Sequence, residues 1–203
     1  MNAPENLERS LSAVVLAAGS GRRFGGGKLL APYDGRLLIV GALGAALAAP
    51  AAEVIVAVPS LADPVAEAVR GFSHDPRLKL VAVPDRDEGM AASLRAAIRV
   101  LDPESAGVFV FLGDMPRIPH EIAADLAAAL RDGALAVQPQ FEGRPGHPAL
   151  MAWALYPQLL ALAGDEGARA VLAGLGERLI RLPVEDDGVV FDVDTPEQLA
   201  GGG

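Results

Sequence analysis

Three short segments carry residue types able to do chemistry together. The stretch AVVLAAGSGRRFGGGKLL, Ala13 to Leu30, runs an apolar segment into a loop with five glycines, two arginines and Lys28. VFVFLGDMP sets Asp114 directly after another apolar run, between Gly113 and Met115-Pro116. FDVDTPEQL sets Asp192 and Asp194 two positions apart, on one face of an extended segment. Glycines at positive φ turn their N–H groups into an anion nest, and Arg23 and Lys28 add the charge a triphosphate requires. Mg²⁺ takes one or two carboxylates plus substrate phosphates, a pair that Asp114 and Asp194 would supply from distant segments. The plain alternatives are a solvated surface loop, a turn beginning at Asp114 and a helix start at Asp194.

The spacing excludes the common phosphate loops. Gly19, Gly21 and Gly25 read G-x-G-x-x-x-G, one residue longer than the dinucleotide fingerprint, and the second strand closes Val58-Pro59 with no ribose-binding acid. A Walker A loop needs Gly at position 22 and Ser or Thr at 29, where this chain has Arg22 and Leu29. What remains is LAAG-x-x-x-R-x-G-x-x-K: Leu16-Ala17-Ala18-Gly19, Arg23, Gly25 and Lys28. The small residues Ala17, Ala18 and Gly19 offer bare backbone against which a base and ribose could lie. Seventeen basic residues include only two lysines, Lys28 and Lys79. In so Arg-biased a chain, a Lys in the glycine loop points to a need for a compact point charge.

Such residues must be positioned by regular elements, and the pattern supplies them. Strands are expected at Ala13–Leu16, Glu53–Val58, Leu78–Val83, Val108–Leu112 and Ala134–Val137, then at Ala149–Met151, Arg178–Leu182 and Val189–Val193. Several are almost wholly apolar, as strands buried on both faces should be. Between them, helical spacing aligns Val65, Val69 and Phe72; Leu94, Ile98 and Leu101; and Ile122, Leu126 and Leu130. Asp63-Pro64 reads as an N-cap with Pro in the first turn, and Thr195-Pro196-Glu197-Gln198 as a capping box. The alternation predicts a three-layer α/β/α sandwich around a Rossmann-like, mostly parallel sheet, with ligands at the carboxyl ends of the strands. PQFEGRPGHPAL, ending at Leu150, breaks the rhythm and is expected to be a long active-site loop. One domain over 1–203 is expected, with 1–10 and 201–203 loose.

Bulk composition narrows the class. The 203-residue chain is 51% hydrophobic, yet no apolar run approaches the roughly 20 residues of a membrane span. The polar start MNAPENLERS lacks the pattern of a signal peptide. The absence of cysteine excludes disulfides and thiolate chemistry. His74, His120 and His147 are scattered without metal-ligand spacing. A net charge of −9 argues against a nucleic-acid surface. A cytoplasmic protein with a small-molecule substrate is the expectation, without nucleic-acid or membrane partners.

The LAAG-x-x-x-R-x-G-x-x-K segment resembles the signature of the MobA-like nucleotidyltransferases, specifically the molybdenum cofactor cytidylyltransferase branch, and the likeness runs almost end to end. The resemblance implies the nucleotide-diphospho-sugar transferase type of fold. It also implies a Mg²⁺-dependent nucleotidyltransferase that joins CMP from CTP to the phosphate of molybdopterin and releases pyrophosphate. No nucleophilic side chain is then needed, because the acceptor's phosphate attacks the α-phosphorus of the nucleotide. Under it, Arg23, Lys28 and Asp114 are catalytic, and Asp114 with the Asp194 carboxylate of DVDTP holds the metal. Leu16, Ala17, Ala18, Gly19, Ser20, Gly21, Gly25, Lys28 and Ser93 bind the nucleotide. Ser93 belongs to DRDEGMAASL, similar to the family's glycine-methionine segment, which is equally readable as a polar turn capping a helix. GRPGHP and GDEGAR carry the second-substrate signatures, with His147 and Arg169 facing the pterin. For His147 a hydrogen-bonded structural role is the even alternative, and Arg169 could instead pair with Asp165.

The chain departs from the family's usual Ser at Gly21 and usual Met at Phe24. The first is neutral for a nest; the second alters how the loop packs. LAAG together with GHP and GDEGAR points, within the family, to cytidine over guanosine. The alternatives are guanylyl transfer, another phosphate acceptor such as a sugar phosphate, or a non-catalytic carrier of the molybdopterin dinucleotide. The resemblance further implies transient contact with a molybdoenzyme or its maturation chaperone.

Overall fold

The computed structural model describes residues 10–19, 27–131, 133–165 and 167–200. Its strands are β1 (Leu11–Leu16), β2 (Pro32–Tyr33), β3 (Arg36–Leu37), β4 (Ala51–Val58), β5 (Leu78–Ala82), β6 (Gly107–Leu112), β7 (Ala136–Phe141), β8 (Arg144–Pro145), β9 (Ala149–Ala152) and β10 (Leu179–Pro183). The helices are α1 (Ile39–Ala48), α2 (Pro64–Phe72), α3 (Met90–Ile98), α4 (Ile122–Ala129), α5 (Tyr156–Leu160), α6 (Arg169–Ala173) and α7 (Pro196–Ala200). One sheet runs in the order β10-β7-β9-β6-β1-β4-β5, with β8 paired to β7, while β2 and β3 form a separate hairpin. β6, β1, β4 and β5 are parallel, β9 is antiparallel to both its neighbours, and β10 is parallel to β7. The fold is therefore a mixed, mostly parallel sheet between helices.

Alternation along the central strands divides the core into two layers. Val15, Phe109 and Phe111 face one side, packed with Ile39 and Leu43 of α1, Val65 and Val69 of α2 and Leu126 of α4. Val14, Val108 and Val110 face the other, packed with Leu94 and Ile98 of α3 and Leu159 of α5. Because these strands are buried on both faces, their apolar runs were readable as strands. Asp63 accepts a hydrogen bond from the Val65 N–H at 2.9 Å, so α2 begins where its cap predicted. Phe72, expected on the buried face of that helix, is 39% exposed in its last turn. At α7 the Gln198 Oε1 accepts from the N–H groups of Asp194 and Thr195, at 2.6 and 2.9 Å. That is the glutamine half of the capping box.

Two expectations are corrected. PQFEGRPGHPAL is not a long loop: β7 continues to Phe141, turns through Glu142 (φ 48) and Gly143 (φ 80), and returns as β8. The pairs Gln140–Pro145 and Phe141–Arg144 close this hairpin, so prolines that suggested a break sit on paired strands. Val189–Val193 is not a strand. Asp186 caps a 3-10 turn over Asp187–Val190 by accepting from the Gly188 N–H at 2.7 Å. The chain then runs outside the sheet, with the Val193 N–H donating to the Asp114 carbonyl.

Near the amino ends of the central strands, buried Glu53 accepts from Ser12 Oγ (3.0 Å), Lys79 Nζ (3.0 Å) and the Asp102 N–H (2.7 Å). Lys79 thus neutralises a buried acid, as burial of a carboxylate demands. Lys28 is the lysine left for the site.

Candidate active site

The site is built where β1 and β6 end. The Gly113 N–H donates to the Leu16 carbonyl at 3.0 Å, and a Cβ on Gly113 would sit 3.0 Å from that same oxygen. Glycine lets the chain cross this closely without crowding that oxygen, and the crossing delivers Asp114 to the carboxyl edge of the sheet. Asp114's own carbonyl accepts the Val193 N–H at 3.1 Å, which brings the Asp192–Asp194 segment alongside. Lys28 opens a 3-10 turn, Lys28–Leu30, entered through Gly27 at φ 68. Its neighbour Leu29 packs on a small cluster of Tyr33, Leu38 and Val193. Three segments far apart in sequence therefore meet.

At that junction Lys28 Nζ donates to Asp114 Oδ2 at 2.9 Å and to Asp194 Oδ1 at 3.3 Å. The lysine side chain is only 12% exposed, against 31% for Asp114 and 55% for Asp194. Beside them opens a cleft of about 430 Å³ lined by Leu16, Gly19, Leu112, Asp114, Asp192 and Asp194, and across from these by Arg86, Asp87, Gly89, Met90, Ser93 and Asp165. Among the described residues of this lining, carboxylates outnumber cations. The Asp192 carboxyl is pushed above its ordinary value, chiefly by burial, then by repulsion from Asp194 and Asp114, with Lys28 opposing. These carboxylates repel a bare polyanion and favour one that arrives with cations.

The donor set fits a hard divalent cation. Asp114 and Asp194 turn carboxylate oxygens toward one ammonium, and oxygen donors are what Mg²⁺ takes. Among the described residues no three acidic or imidazole side chains already form a ligand set. The remaining ligands would come from substrate phosphates and water, the usual arrangement for Mg²⁺ at a nucleotide.

The other predicted site residues are placed unevenly. Ser93 is buried in the first half of α3 and lines the cleft, as do Leu16 and Gly19. Ala17 and Ala18 lie beneath it: both are buried, and the Ala17 N–H is used by the Ala57 carbonyl at 2.9 Å. Ser20, Gly21, Arg23 and Gly25 lie outside the described residues. Exposed Arg169 begins α6 and is not on the cleft lining. His147 is not there either. Its N–H donates to the Val189 carbonyl at 2.7 Å and its Nδ1 lies 3.3 Å from the Val110 carbonyl.

The missed residues are Arg86, Asp87, Met90 and Asp165. They reach the cleft because Gly89, at φ 99, packs flat on the Gly164-Asp165 turn, where a Cβ would collide with the Asp165 carboxylate. The Ala91 N–H donates to the Gly164 carbonyl at 3.0 Å and fixes the contact. The signal was the glycine flanking each acidic run, at DRDEG and at GDEG.

Burial lowers the His147 imidazole below its ordinary range, against smaller opposing effects from the Val110 carbonyl and Asp114. A histidine whose folded-state value is depressed contributes stability that is complete above about pH 6.5 and is lost as pH falls below it. Wild type is therefore expected to lose stability from this group as pH falls from 7.5 to 5.5. His147→Gln should lack that component. Melting curves at pH 7.5 and 5.5 check this, and identical acid slopes in the two proteins would contradict it.

Residues 13–180 match the family model described as the MobA-like NTP transferase domain. The chain is 31% identical over 195 residues to the purine catabolism protein PucB of Bacillus subtilis (strain 168), covering 93% of each. It is 28% identical over 197 residues to the nicotine blue oxidoreductase of Paenarthrobacter nicotinovorans, covering 93% of this chain and 94% of that protein. Among solved structures, Rv0371c from Mycobacterium tuberculosis H37Rv superposes with a TM-score of 0.79 at 26% identity, over 95% of this chain and 97% of that one. A manganese complex of Rv0371c superposes with a TM-score of 0.71 at 25% identity, over 88% and 89%.

Proposed function

The chain belongs to the MobA-like NTP transferase family, and from that premise we propose that it transfers CMP from CTP to the phosphate of molybdopterin. In this reading an oxygen of the acceptor phosphate attacks the α-phosphorus of CTP, a new P–O bond forms, and the bond to the β-phosphate breaks to release pyrophosphate. The observation that carries it is the meeting of Lys28, Asp114 and Asp194 at the mouth of one cleft. A carrier that only delivers a finished dinucleotide has no need of paired carboxylates beside a phosphate loop.

Asp114 and Asp194 would hold a divalent cation, Mg²⁺ in the cell, which supplies charge neutralisation at the α-phosphate and the leaving pyrophosphate. The manganese complex of Rv0371c supports this reading. Lys28 would exchange its carboxylate partners for phosphate oxygens as the nucleotide enters, together with Arg23 of the glycine loop. Gly19 lines the cleft and would lie against the bound nucleotide. Ser93 and Asp165, across the cleft, offer a hydroxyl and a carboxylate to amino and hydroxyl groups of base or pterin. Catalysis is then positioning and electrostatics, without a covalent enzyme intermediate.

Cytidine over guanosine rests on the LAAG, GHP and GDEGAR segments. Among the described residues no helix is long and apolar enough to cross a membrane, and the reading places the reaction in the cytoplasm, with a molybdoenzyme or its maturation chaperone receiving the product. The test is a panel of CTP, GTP, ATP and UTP with Mg²⁺ and purified molybdopterin, scored by pyrophosphate release. CTP is expected to exceed the others at least about tenfold, the scale of one or two well-placed hydrogen bonds. Release with GTP alone would reassign the base, and no release with any nucleotide would overturn catalysis.

A further inference from the structure

The three charged segments meet a second time through an arginine and two aromatic neighbours. Arg117 stands three residues after Asp114, Phe191 one before Asp192, and Tyr33 five after Lys28. The Arg117 guanidinium carbon lies 4.0 Å from the Phe191 ring centroid, and its Nε donates to the Tyr33 hydroxyl at 2.6 Å. The Tyr33 and Phe191 rings tilt against each other at 6.4 Å. Tyr33 and Val193 share an apolar cluster with Leu29, the residue after Lys28. Gly188 completes the contact from the other side, because a Cβ there would collide with the Arg117 carbonyl. An exposed arginine held by a ring face and a phenol is unlike a solvated surface charge, and lysine cannot reproduce this planar geometry.

We propose that Arg117 is a positioning residue: stacked on Phe191 and bonded to Tyr33, it holds the Asp192–Asp194 segment and the Lys28 turn in register with Asp114. It touches no reacting atom. It acts through the backbone of the aspartate segment, whose Val193 N–H is docked on the Asp114 carbonyl. The kinetic part of this inference rests on the nucleotidyl-transfer reading; the docking part does not.

Two measurements on the full chain separate these parts. The first follows amide exchange at Val193 in wild type, Arg117→Ala, Arg117→Lys and Tyr33→Phe, with Val14 and Val110 of the central strands as internal references. Exchange at Val193 should accelerate about tenfold or more in both Arg117 variants and less in Tyr33→Phe, while the references stay unchanged. Unchanged exchange at Val193, or full rescue by lysine, overturns the proposal. The second follows pyrophosphate release. Arg117→Ala should lower kcat about tenfold and raise the divalent-ion concentration needed for half-activity, with the nucleotide KM moving less than about threefold. A variant that loosens Val193 yet keeps wild-type kcat and metal requirement makes Arg117 merely structural and also overturns it. Absence of pyrophosphate release in wild type refutes the functional reading instead, and the exchange data still decide the docking.

Discussion

Asp114→Asn is expected to lower pyrophosphate release about a thousandfold, roughly 4 kcal/mol of transition-state stabilisation, while the protein stays folded. The loss follows from charge. An amide oxygen accepts a hydrogen bond but carries no negative charge to hold a divalent cation at the α-phosphate. The fold should survive because what Asp114 gives the structure is its backbone. Its carbonyl accepts the Val193 N–H, which asparagine preserves, and its amide side chain can still accept from Lys28. Removing one acid also relieves part of the repulsion that raises Asp192. Activity near wild type would remove Asp114 from the metal site. Loss of activity together with a collapsed thermal transition would make the residue structural.

Lys28→Ala should lower kcat/KM for the nucleotide about a hundredfold, close to 3 kcal/mol, and should change metal binding in the opposite direction. In the free protein the ammonium lies between Asp114 and Asp194 and competes with any cation for their oxygens. Without it, those carboxylates bind a divalent ion more tightly when nucleotide is absent, yet the phosphates lose their fixed partner when it is present. Weaker turnover with stronger bare-metal binding is a signature that simple loss of structure does not produce. Lys28→Arg should recover little, because a planar fork does not replace a compact ammonium between two carboxylates. Kinetics with varied nucleotide, and manganese titration without it, check the two halves. Unchanged kcat/KM would make Lys28 a structural counter-ion.

How much of this was legible in the sequence depends on the distance over which each feature is decided. The central strands were readable because Val14, Val15, Phe109 and Val110 are buried on both faces of a parallel sheet, which leaves a local apolar run. The cap at Asp63-Pro64 was readable because its hydrogen bond spans two residues. Asp114 was readable because a carboxylate after an apolar strand falls at the edge where ligands bind. Val189–Val193 misled because an apolar run looks like a strand wherever it lies, whereas here Val189 and Val190 end a 3-10 turn and the segment docks on the Asp114 carbonyl instead of a strand. The prolines of the β7–β8 hairpin misled for the converse reason: a break was read where a turn at Glu142-Gly143 keeps the strands paired.

Long-range assembly left less trace. Nothing near Arg117 announces that its partners are Tyr33, 84 positions away, and Phe191. Asp165 reaches the cleft only through the close approach of Gly89 and Gly164, a contact between elements that the sequence shows separately. Arg23, on which the phosphate loop was first recognised, lies outside the described residues. Among the described residues the cations of the site are Lys28, bonded to the two aspartates, and Arg86 on the cleft lining.

The central claim is that Lys28, Asp114 and Asp194 converge to hold a nucleotide's phosphates and one divalent ion. Electron paramagnetic resonance of Mn²⁺, titrated into the protein with a non-hydrolysable CTP analogue, tests it most directly. One tightly held Mn²⁺ per chain is expected, requiring the analogue and lost in Asp114→Asn. Mn²⁺ binding indifferent to the analogue, or equally tight in Asp114→Asn, would contradict it.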